Sequence, residues 1–448
     1  MKKTFTVLTV LTVLTAFTVS VFIVINPVNK SYGYNHKKYR GKMANILPLS
    51  ILIKNALKNP NITSSILKTE GLKEKIAIAK ALPEPVAGIG FTDANGFNNP
   101  GIGVNSMSDI GLSISQKIPF PSKLGTKSQI NKYSYMSSKA KIEALKIDTA
   151  YLVKESYFNL ALLEKQIVVV KYNRLFLNLI LKDISQKYGT GTATAPAYIR
   201  TMLEEAALKS ELYSLNNVKD KLIYLLSELT GFESSYIKSR RAVLPKIKEE
   251  KRGQVKGALP SNLLNRKEDI KTAYKYNPEL KSLKYLAKKS DYETAYAKES
   301  YLPDFYLKAG YGDRYSMVPV LSASVGLSLP VYFNSYQKPL INKAEKDKLS
   351  SIYDIGWEKL QIIKNIGVYA KALRLNENNY RLYESLYVPE AKLLFKTEIS
   401  SFGTGRSSAF SLLDSFRKLI DSEFKMYIYN AKYYIDKSRL EQVMGKIQ

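Results

Sequence analysis

The sequence contains no cysteine, one histidine and one tryptophan. Without cysteine there are no disulfides, thiolate zinc sites, iron–sulfur clusters, thiol nucleophiles or lipid-modified N-terminal cysteine. His36 alone supplies neither a multi-histidine metal site nor a Ser-His-Asp triad. Acidic residues are also scarce: 39 Asp and Glu face 68 Lys and Arg, a net charge of +29 over 448 residues. Glu204-Glu205 and Glu249-Glu250 are adjacent in sequence, so on a helix they point apart and form no acid–base pair. The residues therefore suggest no enzyme, no bound metal and no cofactor. The positive charge points first to nucleic acid or anionic lipid.

Long apolar runs are missing too, with one exception. Lys2 and Lys3 precede an uncharged stretch from Thr4 to Ile25. A basic start before such a run reads as a secretory signal. Ser31 and Gly33 flank Tyr32, which places cleavage after Gly33 and a signal peptide at 1–33. An uncleaved membrane anchor is the other reading of the same run. An exported chain with no further spanning helix leaves two options, a β-barrel or a soluble periplasmic life. Export also argues against a nucleic-acid partner. Apolar residues still make up 45%, enough for a packed protein.

What is present is a duplication. Asn59-Pro60 returns as Asn277-Pro278 and Pro85 as Pro303, both 218 residues on. Lys117-Ile118-Pro119 returns as Ser328-Leu329-Pro330, Tyr188-Gly-Thr-Gly191 as Phe402-Gly-Thr-Gly405, and Leu229-Thr230-Gly231 as Val443-Met444-Gly445. The order is kept throughout. The boundaries this implies are a first repeat over 34–231, a connecting segment over 232–260 and a second repeat over 261–448. Each repeat reads as helix, two strands, long helix, Gly-rich turn and return helix.

The strand candidates are Pro85 to Thr92, Ile110 to Gln116, Asp304 to Gly312 and Leu321 to Leu329. Their period-2 alternation over about nine residues suits a transmembrane β-strand, with lipid on one face and water on the other. A soluble amphipathic hairpin shows the same alternation. The linking stretches Asp93 to Ser108 and Asp313 to Val320 are rich in Gly, Asn and Pro and read as loops. Four strands cannot close a barrel whose smallest known form has about eight, so spanning strands require an oligomer.

Long helices are expected from about Ser122 to Lys187 and from about Ser335 to Ser401, each a rod of roughly 100 Å. Ala140, Ala144, Ile147, Ala150, Tyr151, Phe158, Ala161 and Leu162 recur along the first in a coiled-coil-like pattern. The return helices, Pro196 to Thr230 and Ser408 to Met444, reach only about 55 Å. Asn61 to Leu82 and Glu279 to Tyr301 add about 33 Å each, so two short helices stack end to end beside each long one. The densest basic run, Lys238 to Lys256, then falls at mid-height on the outside.

This plan and these motifs resemble the outer-membrane efflux protein family, the TolC-like exit ducts, over about 44–446. Gln116-Lys-Ile-Pro-Phe-Pro-Ser-Lys123 is similar to the Gln-x-Ile-Pro-x-Pro-Gly-Lys stretch of that family's heavy-metal and cation branch, with Ser122 where Gly is usual. The resemblance implies a mainly α fold with a small β part. Three chains with four strands each would share a 12-stranded outer-membrane barrel, continued by a helical periplasmic tunnel. It implies a homotrimer, a periplasmic adaptor, an inner-membrane pump of the RND type and contact with outer-membrane lipid. Heavy-metal or cation efflux leads, with drug efflux and type I protein secretion as alternatives. A non-channel periplasmic coiled-coil scaffold is the rival of another class.

The resemblance also assigns residues. Tyr188, Gly189, Gly191, Phe402, Gly403, Gly405 and Arg406 fall on the two tip turns, where the family docks its adaptor; a plain helix-hairpin turn accounts for the glycines equally well. Phe402 stands where the family has a Tyr and cannot donate a hydroxyl hydrogen bond. Arg200, Ser411 and Asp414 fall on the entrance gate. Three copies of Asp414 would ring the axis, and Arg200 of a neighbouring helix would pair with it; a solvated surface position is the alternative.

Overall fold

A computed structural model describes residues 46–92, 108–191, 195–247, 266–314, 317–403, 406 and 409–446. The expected signal at 1–33 and the stretch 93–107 lie outside them, as does 248–265 of the connecting region.

The element order is α1 (Leu49–Ala56), α2 (Pro60–Ile78), β1 (Val86–Thr92), β2 (Asp109–Ile118), α3 (Pro121–Gly189), α4 (Ala195–Thr230) and a short α5 (Ser234–Lys238). The second half repeats it with α6 (Arg266–Tyr276), α7 (Pro278–Lys298), β3 (Phe305–Arg314), β4 (Met317–Leu327), α8 (Lys338–Leu382), α9 (Val388–Gly403) and α10 (Ala409–Val443). Two compact units emerge. One gathers the described parts of Met1–Asn59, Lys146–Ala273 and Lys364–Gln448, the other Pro60–Leu145 and Tyr274–Ile363. Each draws on both halves of the sequence.

The duplication extends to the backbone. Gly231 and Gly445 end the return helices α4 and α10 with φ of +72° and +74°. This left-handed closing conformation is open to glycine at no steric cost. Asn277 caps α7, its side chain accepting from the Leu280 amide at 2.9 Å. Asn59 uses its amide instead to donate to the carbonyls of Glu228 and Leu229. Within the expected repeats, α1 and α6 add a helix before each Asn-Pro step.

In the first unit the core is Leu47, Leu52, Val153, Leu160, Ala161, Ile223, Leu226, Ile237 and Ala431. The Tyr157 hydroxyl donates to the Leu47 carbonyl and accepts from the Val243 amide, at 3.2 and 3.0 Å, so the connecting segment is stitched to α3. Asn430 and Tyr434 of α10 hold its next turn by donating to the Pro245 and Lys246 carbonyls. The described basic side chains of this segment are engaged. Lys238 pairs with Asp220, Lys246 with Glu384 and Arg241 with Glu164, while Arg240 stacks on Tyr236 at 3.5 Å. In the second unit small residues allow close packing, as where Ser137 meets Ser282 at 2.8 Å and Tyr133 stacks on Tyr292.

Two expectations need correction. Most of the stretch Asp313 to Val320 is strand, not loop: β3 runs to Arg314, β4 starts at Met317, and these two residues pair, with 315–316 outside the described residues. Pro319 misled the reading. It is tolerated because β4 pairs on one side only, and the register shifts beside it. The second long helix is also not uniform. Wide π-turns occupy Phe333–Gln337 and Tyr383–Tyr387. Pro339 and Pro389 each follow two residues later, and a proline removes the helical N–H and crowds the carbonyl four residues back.

Candidate functional site

The four strands form one antiparallel sheet in the order β1-β2-β3-β4. Its register sorts side chains into two opposite faces. On one, Ile89, Leu112, Tyr311 and Leu321 form a row across all four strands, with Ala87, Ile114, Ala309 and Ala323 in the next. On the other, the rows are Gly88, Ser113, Gly310, Ser322 and Gly90, Gly111, Gly312, Val320. The small face is tightly set. A Cβ on Gly312 would collide with the Asp109 carboxylate, and one on Gly310 would lie 2.8 Å from the Ser322 hydroxyl. Among the described residues nothing covers either face: β1 is exposed along its whole length, and Ile89 and Leu321 are 82% and 85% exposed. Both edge strands, β1 and β4, have an unpaired side among the described residues.

Strands and helices meet at Asp304. Its carboxylate takes Lys123 Nζ at 2.7 Å, Lys117 Nζ at 3.1 Å and the Phe120 amide at 3.2 Å. Lys123 also donates to the Leu302 carbonyl, and the Asp304 amide donates to the Ser328 hydroxyl. Burial pushes the carboxyl up, but these donors outweigh it and hold Asp304 below the ordinary range. Gln116 ties the end of β2 back by donating to the Pro83 carbonyl.

At the first tip, Gly191 adopts φ of +75° and Thr190 and Gly191 close the end of α3 by donating to the Gln186 and Tyr188 carbonyls. Tyr188 stacks on Tyr198 of α4, rings parallel and 5.6 Å apart. Gly189 ends α3 and Gly403 ends α9. Arg406 is exposed, its amide donating to the Ser401 carbonyl. Gly405 and the Phe402 side chain lie outside the described residues. Arg200 and Ser411 are half-buried, and Asp414 pairs with Lys418 one turn along its own helix at 2.8 Å.

The architecture is similar to that of several solved membrane proteins. The CmeC outer membrane channel of Campylobacter jejuni superposes with a TM-score of 0.73 at 14% identity, covering 89% of this chain and 85% of that one. The outer membrane protein VceC of Vibrio cholerae gives 0.69 at 14%, with 89% and 96% covered. CusC, described in terms of transmembrane channel formation, gives 0.69 at 14%, with 88% and 91% covered. The chain has the TolC-like fold. No protein-family model matches the sequence, and no curated protein matches it.

Within the TolC-like fold, several sequence motifs acquire structural roles. Gln116, Lys117 and Lys123, read as a cation-branch signature, are spent on the strand–helix joint. No cluster of three or more metal-ligating side chains occurs among the described residues. No described helix is long and apolar enough to cross a membrane. Two features near the tips escaped sequence reading. Arg417 of α10 bridges to Glu204 of α4 at 2.8 Å, while Glu205 takes Arg174 of α3 at 2.7 Å. Phe176, Phe395 and Phe416 form one aromatic cluster across α3, α9 and α10. The adjacent acids thus reach different helices, but which cations they meet depends on helix pairing that no local pattern encodes.

Proposed function

We propose that this chain is the passive outer-membrane exit duct of a tripartite efflux system, acting as a homotrimer. One observation carries the reading: a four-stranded sheet with an apolar face, a Gly/Ser face and, among the described residues, no cover on either and two open edges. In water such a sheet has no core to stabilise it, and its edges invite pairing. Closed with two further copies, it has lipid on the apolar face, water on the small polar face and no edge left. The helices then continue the duct into the periplasm. The tip turns at Tyr188, Gly189, Gly191, Phe402, Gly403, Gly405 and Arg406 are the docking surface for an adaptor, which links the duct to an RND-type pump. The duct performs no covalent chemistry, and the pump selects the cargo.

Detergent-extracted protein added to a planar lipid bilayer should run as a trimer on sizing and produce discrete conductance steps. Protein that stays soluble and monomeric without detergent would instead favour the periplasmic scaffold.

Arg200, Ser411 and Asp414 are proposed to line the entrance. Asp414→Ala and Arg200→Ala should each raise single-channel conductance by loosening contacts between neighbouring tips. Unchanged conductance and ion selectivity in both would remove these residues from the gate.

A further inference from the structure

We infer that the barrel of this duct favours anions, through a ring of Lys308 side chains in its lumen. The inference rests on the duct reading above. Charges on the Gly/Ser face of the sheet are few. Lys117, at the helical end, is paired with Asp304. At the far end of the sheet, Asp109 begins β2 and Arg314 ends β3, one charge of each sign. Lys308 remains. It is exposed, and its row holds Val86, Ser115 and Ser324. Its ammonium group makes no hydrogen bond, ion pair or ring contact with any described residue. The next row is Gly88, Ser113, Gly310 and Ser322, so no large side chain stands beside the lysine stem.

An ionised side chain inside a membrane span is costly and is kept where it faces water. Lys308 lies three residues into β3, roughly 10 Å from the joint with the helices. In a trimer it recurs three times at one level. Three uncompensated ammonium groups around a water-filled path lower the barrier for anions and raise it for cations. The nearby Ser324 hydroxyl adds a donor of the kind an anion uses. The Gly rows keep the bore wide at this level, so the ring acts as a field on hydrated ions rather than as a tight binding site. The cargo class this suits is an anionic organic solute, and it counts against a free metal cation.

Reversal potentials across a potassium chloride gradient test this on the full-length trimer in a planar bilayer. The wild type should be chloride-selective. Lys308→Arg should stay so, and Lys308→Glu should reverse the sign of the potential without changing trimer yield. A cation-selective wild type, or a Lys308→Glu trimer that conducts with an unchanged reversal potential, overturns the inference and leaves the duct standing. Failure of the wild type to conduct at all overturns the duct reading itself.

Discussion

Asp304→Ala should destabilise the trimer by about 2–4 kcal/mol, because it strips the counter-charge from a half-dry lysine. Lys123 keeps only 14% of its side chain exposed and Lys117 keeps 42%, so most of the loss comes through Lys123. The Phe120 amide loses its acceptor as well. Thermal unfolding of the detergent-solubilised protein checks the size. Asp304→Asn separates charge from shape. Asp304 sits below its ordinary value when folded, so its contribution is present above the unfolded carboxyl range and fades as pH falls through the lower folded value. The gap between wild type and Asp304→Asn should therefore hold at neutral pH and close below about pH 4. A gap that persists at low pH would mean the joint is held by packing, such as the stack of Phe120 on Phe305, rather than by charge.

Val368→Glu with Leu375→Glu should abolish the trimer. Val368, Leu375 and Leu382 recur every seven residues on α8 and are 54%, 59% and 43% exposed in the single chain. Seven-residue spacing keeps side chains on one helix face. A bare apolar seam of this kind is what a helix buries against a partner, worth about 1.5–3 kcal/mol for each side chain fully covered. In the proposed trimer two acids per chain would make six buried charges without partners. Sizing and heat-modifiable gel mobility should both shift to monomer, while circular dichroism stays helical, since these side chains support no contact within the chain's own core. Retention of the trimer would mean that its helices meet through another face, such as the exposed Ile199, Leu203 and Tyr224 of α4.

The two results bear on different levels of the molecule. Asp304 belongs to the folding of one chain and was not legible locally, because it lies 181 residues beyond Lys123 and outside the motif that holds Lys117 and Lys123. The seam on α8 was hidden for a different reason. Leucines and valines recur along the helix on several faces, and only the packed chain shows that Ile366 and Leu373 go inside while Val368 and Leu375 stay out. The tips show a third case. Gly191 was identified from its turn, since φ above zero is a local demand. The partners of Glu204 and Glu205 were not, since they depend on which helices lie side by side.

The sequence by itself determined the duplication, the four strands and their period, the long helices and their return partners, and the positions of the closing glycines. Each of these follows from spacing along the chain: a period of two, a long proline-poor stretch, a landmark repeated in order. Only the tertiary structure decided that 313–314 and 317–320 are strand, that prolines 339 and 389 follow wide turns within a helical run, and that the Gln116–Lys123 motif is a strand–helix joint. It alone set the register that lines the apolar and the small polar positions of the four strands into rows. The reason is physical. Register, ion pairing and exposure are set by atoms hundreds of residues apart, and the hydrogen bonds between β2 and β3 that fix the register join two halves which, read separately, look alike.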